Sequence, residues 1–292
     1  MADIYIPLVY KSPAAMQMHY LQKTIRYSMR KSGIPARLKL MLLCGFWAPA
    51  YVFAQAPAAK QVNQQSQFWT SINSVYRFNE RWGMLADFHI RRNNFMADPG
   101  FYFIRGAANY WIKDNMTVAM GYGHMWLAPT KPGWQTFANE ERIYQQFQAT
   151  AKNPRSSILQ RVRNEQRWQQ KIVDDKKTGN YKFTDRVRYL FSYNYTLFPK
   201  NKYLPSAVLA DELAIQFGKE VVYNTFDQNR LFIGIKQNIS PNLSVDFGYM
   251  NVYQQKATGY QYDMNHTMRL FFYYTGGWKK ESKHAVIHSG EE

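Results

Sequence analysis

From Arg161 to Lys171 every second residue is charged or carries an amide: Arg161, Arg163, Glu165, Arg167, Gln169 and Lys171. A period of two is that of a β-strand, whose successive side chains point to opposite faces, so these residues form a ladder of charge along one wall of a sheet. Polar faces identified the same way add Asp87, His89, Arg91, Arg105, Arg186, Arg188, Glu212, Arg230, Lys236, Asp246 and Arg269. Such a set supports two kinds of chemistry. Interspersed guanidinium and carboxylate groups can neutralise one another and fill the interior of a small barrel. Alternatively, an excess of Arg and Lys can line a lumen that favours small anionic solutes.

Catalysis asks for more. A lipid hydrolase needs a hydroxyl nucleophile beside a positioned base, usually His. His89 shares a polar face with Asp87 and Arg91, His124 and His266 fall in the apolar register, and His284 and His288 lie near the C-terminus. No His-x-Ser or Gly-x-Ser-x-Gly pattern accompanies any of them. Metal-ligand spacings and Gly-rich phosphate loops are also missing, so no catalytic, metal or cofactor residues are assigned and no cofactor is expected. A basic, aromatic chain could stack on single-stranded nucleic acid. Here the basic residues are scattered over every strand and the chain carries an export signal, which argues against that partner.

The elements that would position these charges alternate from end to end. Val187, Tyr189, Phe191, Tyr193, Tyr195 and Leu197 oppose Arg186, Arg188, Ser192, Asn194 and Thr196, while Leu231, Ile233, Ile235 and Ile239 oppose Arg230, Gly234, Lys236 and Asn238. The pattern predicts strands near 67–78, 82–92, 101–112, 116–127, 138–151, 156–172, 182–198, 204–217, 229–239, 243–255 and 264–275. Most exceed an ordinary globular strand and match or exceed the roughly 9 to 11 residues that cross a bilayer at a tilt. Short turns alternate with longer loops at 93–100, 128–137, 173–181, 218–228 and 256–263, the rhythm of outer-membrane barrels. Aromatic residues, 17% of the chain, recur toward segment ends as girdles would; Trp69, Trp82, Tyr102, Tyr110, Trp111, Trp126, Tyr273 and Trp278 are among them. The fold expected is all-β, a transmembrane antiparallel up-and-down barrel. Because single-chain bacterial barrels have even strand numbers, ten or twelve strands are expected, with twelve preferred and a missed strand sought in 55–66.

The 292 residues carry a net charge of +17 and one cysteine, Cys44. A disulfide within the chain and a thiolate metal site are thereby excluded. Arg30, Lys31, Arg37 and Lys39 precede the apolar run from Leu40 to Ala54, which reads as the n-region and h-region of a secretory signal. Met29 is the expected start, with cleavage after Ala54. Residues 1–54 hold seven basic and one acidic side chain, so the processed chain keeps +11. Residues 55–66 are expected to be a flexible lead-in, 67–275 the barrel, and 276–292 a polar tail.

The segments Arg161 to Arg167, Asp185 to Tyr189, Asp211-Glu212, Phe226 to Ile235 and Gly248-Tyr249-Met250, in that order, resemble the bacterial outer-membrane barrel family catalogued as domain of unknown function 2490. The resemblance covers roughly 66–275. It implies an outer-membrane β-barrel and supplies no substrate. The expected protein is therefore a non-enzymatic barrel of the Gram-negative outer membrane, a scaffold or a narrow porin-like conduit for small anionic solutes. Its partners would be outer-membrane lipid and, during insertion, the barrel-assembly machinery. A soluble periplasmic ligand-binding barrel and an outer-membrane lipid hydrolase are the alternatives. Oligomeric state is not legible.

Overall fold

A computed structural model describes residues 59–201 and 203–277. The proposed signal, its cleavage site and nearly all of the expected tail, with Trp278, His284 and His288, lie outside the described residues.

Extended, alternating segments can satisfy their backbone groups only by pairing laterally, and here the pairing runs full circle. Eleven strands form one closed barrel: β1 Gln61–Arg77, β2 Trp82–Asn93, β3 Asp98–Lys113, β4 Met116–Leu127, β5 Ala138–Lys152, β6 Ser156–Val173, β7 Lys176–Thr196, β8 Ser206–Phe217, β9 Phe226–Asn238, β10 Leu243–Gln255 and β11 Gln261–Gly277. Each is antiparallel to its sequence neighbour. The ring closes through β1 and β11, which run parallel from Gln61↔Gln261 to Arg77↔Gly277. The expectation of ten or twelve strands is thus corrected to eleven among the described residues, and purely antiparallel pairing is corrected at the seam. The physical reason is parity: an odd number of alternating strands leaves the first and last pointing the same way. Consequently Gln61 lies at the rim of the longer loops and Gly277 at the rim of the short turns.

Two further differences concern boundaries. β1 begins at Gln61, inside the stretch expected to be a flexible lead-in. The loop expected at 173–181 is mostly strand. Val173 pairs with Lys176 across Asp174 and Asp175, whose φ values of 48° and 56° are those of a two-residue hairpin turn. The β6–β7 hairpin therefore projects past its neighbours, since β5 starts near Gln169 and β8 stops opposite Asp185. Backbone N–H groups of Gln135 and Thr136 tether its tip by donating to the Asp175 carboxylate at 2.8–3.1 Å. These bonds, Thr136's first, hold that carboxyl below its ordinary value.

Alternation sorts the side chains, and the sorting is inverted relative to a water-soluble core. Among the described residues forty large hydrophobic ones are exposed, Ile104, Met120, Leu209, Ile233 and Phe247 included, whereas polar and charged residues outnumber apolar ones among the buried. The interior also holds two apolar clusters, one including Trp69, Phe232, Phe271 and Tyr273, the other Val75, Leu85, Trp111 and Ala119. Trp69, Trp111 and Tyr273 are therefore not girdle residues: they occupy inward register positions and are buried. Aromatic pairs do mark both rims of the outer wall, Tyr102–Phe137 and Trp168–Phe183 at the loop end and Trp82–Tyr110 and Tyr76–Phe78 at the turn end.

The parallel seam is testable. Cysteine pairs at Val62 with Tyr262 and at Ser74 with Tyr274 should both form disulfides, because both are register partners on strands about 4.7–4.9 Å apart, within bonding range. An antiparallel closure would join at most one pair, as peptide mapping under non-reducing conditions would reveal.

Candidate functional site

Inward register positions on β5 through β9 build one continuous network of charge. At its centre Glu212, on β8, accepts from Arg161 Nη2 at 2.9 Å and Arg230 Nη1 at 3.2 Å, and also from Arg188. Glu165, on β6, accepts from Arg186 Nε at 2.7 Å and Arg188 Nη1 at 3.0 Å, with Arg163 at 3.6 Å. Arg188 therefore bridges the two carboxylates. Arg186 reaches onward to Asp227 at 3.1 Å. Arg163 donates twice to Gln146 Oε1, and Arg167, half-buried, donates to Thr184 Oγ1 and Gln216 Oε1 at 3.1 and 3.0 Å.

Smaller units line the rest of the interior. Asp87 pairs with Arg105, whose Nε lies 2.8 Å away. Asp246 meets Arg269 at 3.3 Å and Lys236 at 3.9 Å. Arg269 also stacks on Phe232 and Phe271, 4.0 and 4.4 Å from the ring centroids. Gly234 and Gly248, facing each other across β9 and β10, make room for this: a Cβ on Gly234 would strike the Phe232 ring. Arg91 lies 3.3 Å from the Trp69 ring centroid and 4.3 Å from that of Phe101. His89 packs between Phe103 and Phe271. Its register partner is Ser71, whose Oγ accepts from Asn73 at 2.8 Å.

Fifteen of the sixteen charged or titratable residues expected on the inner wall point inward, and Arg167 and Lys236 are the two of these that are only half-buried. Lys171, at the end of the charge ladder, is exposed instead and pairs with Glu220 at 2.8 Å, because the strand there has already left the barrel wall. Three buried charges among the described residues escaped sequence reasoning. Glu140 and Arg142, bonded at 2.7 Å, lie on β5, whose outward face carries Glu141 and Gln145, so polarity does not alternate along it. Asp227 turns inward beside Gln228 because a bulge lets Ala214 pair with Gln228 and Ile215 with Phe226. The doubled polar pair Asp227-Gln228 before an alternating run was the available signal.

Nine arginines and six carboxylates are buried among the described residues, so the interior is ion-paired and still cationic. It is also filled. A cavity bounded by Asn73, Asp87, Arg105, Gln146, Arg161 and Arg163 measures about 20 Å³, room for about one water molecule.

Fold and interior together define a closed β-barrel with an ion-paired core. A family model described as protein of unknown function (DUF2490) matches residues 66–281, and the chain belongs to that family. No curated protein and no solved structure matches it.

Replacing Glu212 by Gln should remove the common counter-charge of Arg161, Arg188 and Arg230. The expected loss is about 3–5 kcal/mol, read as a lower urea midpoint of the folded barrel. Glu220→Gln, at an exposed pair, should change it by less than about 1 kcal/mol.

Proposed function

We propose that this chain is an outer-membrane β-barrel that acts as a non-enzymatic scaffold, a rigid wall closed by its own side chains. The observation that carries the reading is the inversion of the two faces. A belt of exposed Ile, Leu, Met and Phe surrounds an interior of salt bridges, whereas soluble monomers rarely expose apolar patches beyond a few hundred Å². Aromatic pairs at both rims and strands of 12 to 21 residues suit a bilayer, where Tyr and Trp favour the headgroup level. The periplasmic ligand-binding alternative calls for a polar outer wall and an interior with room for a ligand, and the hydrolase alternative for a His beside both a Ser and a carboxylate, whereas the hydroxyl that meets His266 at 2.6 Å is the phenol of Tyr249.

A second reading, a conduit for small anionic solutes, draws on the cationic surplus inside. It requires the interior to rearrange, because the side chains of Arg161, Arg163, Arg188, Glu165 and Glu212 are all at least 97% buried.

Membrane fractionation and gel migration with and without heating test the first reading. Outer-membrane location, heat-modifiable migration and silence in planar-bilayer recordings are the expected results. Anion-selective unit conductance that Arg188→Glu reverses would favour the conduit, and a soluble, heat-indifferent protein would overturn both. Ile233, 61% exposed on the outer wall, supplies a sharper check: Ile233→Arg should cost about 2–4 kcal/mol near the bilayer midplane, seen as reduced assembly into the heat-modifiable form.

A further inference from the structure

Asp211 faces outward in the middle of β8, and its surroundings are apolar. Along its own strand the outward neighbours are Leu209 and Leu213; across the sheet its partners are Phe191 on β7 and Leu231 on β9, all exposed. Asn229 Nδ2 donates to Asp211 Oδ1 at 2.7 Å, yet an ionised carboxylate has about four acceptor sites. On the membrane reading, on which this inference rests, an ionised group on a hydrocarbon-facing wall is costly and marks a contact or a functional site.

On the other side of Phe191, β6 turns donors outward. Gln160 is the register partner of Phe191, and its Oε1 accepts from the Tyr189 hydroxyl at 3.0 Å, which leaves its amide N–H groups to donate. Asn164 follows two outward positions further along the same strand. Three adjacent strands thus present amide donor, aromatic ring and carboxylate acceptor in that order. The wall made by β2 to β4 offers Phe88, Ile104 and Met120 instead, and its polar outward groups, Tyr122 and His124, are already engaged by Glu141 of β5.

We propose that the outer face of β6 to β8 is the interface of a two-fold dimer of this chain within the membrane. An axis parallel to the barrel axis and passing in front of Phe191 sets β6 of one copy against β8 of the other, as an isologous contact requires. Each Asp211 then receives an amide N–H from Gln160 or Asn164 of the second copy, and the Phe191 rings meet at the axis. A second copy is the occupant because the face complements itself, donor and acceptor flanking one ring at one strand's distance on either side. Acyl chains offer neither a donor to the carboxylate nor an acceptor to the amides.

Cysteine crosslinking of the full chain in isolated outer membranes, in a Cys44→Ser background, tests this. Phe191→Cys should give a disulfide-linked band of twice the monomer mass, and Ile104→Cys none. Adding Asp211→Leu to Phe191→Cys should abolish the band while heat-modifiable migration persists; should that variant fail to fold, Gln160→Leu is read in its place. A monomer from Phe191→Cys, an equal dimer from Ile104→Cys, a band that survives loss of Asp211 or Gln160, or a crosslink to a protein of another mass would overturn the dimer and leave the membrane barrel standing. Recovery of the protein outside the membrane fraction would sink the membrane reading and the dimer with it.

Discussion

Closure of the backbone hydrogen-bond ring is the constraint on which everything else in this barrel rests. Eleven strands that each reverse direction cannot close unless β1 and β11 run parallel, and they do so over the full 17 residues of both. Parallel pairing is slightly weaker per residue than antiparallel pairing, so length is what makes this seam competent to hold the ring shut. Closure then fixes the parity of every strand. Once Trp69, Ser71, Asn73 and Val75 point inward on β1, the inward set of each other strand follows through its register, with bulges as the only freedom.

Parity explains why so many charges can be buried in one small barrel. An ion pair away from water is weak evidence of stability, because desolvation offsets most of the attraction. Its value here is in specifying register. Sliding β7 by one residue against β6 would carry Arg186 and Arg188 to the outer wall and bring Val187 opposite Glu165 and Tyr189 opposite Arg163. The penalty for unpairing Glu165 and Glu212 together makes that slip prohibitive, so the network acts as a key for strand alignment. Glu212, reached by three guanidinium groups from β6, β7 and β9, ties four consecutive strands at once.

Much of this was legible from residue spacing. The period of two located the strands and placed Arg161, Arg163, Glu165, Arg186, Arg188, Glu212 and Arg230 on one face, because there an apolar outward face makes the alternation visible. It failed where that contrast vanished. β5 carries Glu141 and Gln145 outward, so Glu140 and Arg142 could not be told apart from surface residues, and Asp227 owes its direction to a bulge that spacing does not encode. Trp69, Trp111 and Tyr273 were assigned to girdles by residue type, but direction belongs to parity, and parity turns them in. Strand number was distorted by a general rule about even barrels, although the segments themselves counted to eleven. The β6–β7 turn was missed because an Asp-Asp pair in the left-handed region does the work more often given to Asn-Gly or Asp-Gly.

On the proposed membrane reading, the two faces also answer how such a molecule can be stable. In water its exposed belt would contribute nothing, and the interior would have to offset chain entropy with eighteen buried apolar side chains and ion pairs that barely break even. Surrounded by hydrocarbon, the same belt leaves water, at about 25 cal/mol per Å² of apolar area, and the wall becomes the main driving term. The interior is then released from supplying stability and can be given over to charges that define alignment. An arginine-rich core and an aliphatic exterior are, on this argument, one adaptation with two faces. The outward Asp211 is conspicuous because its neighbours along and across the wall, Leu209, Leu213, Phe191 and Leu231, are apolar, whereas outward Glu141 sits beside His124 and Tyr122.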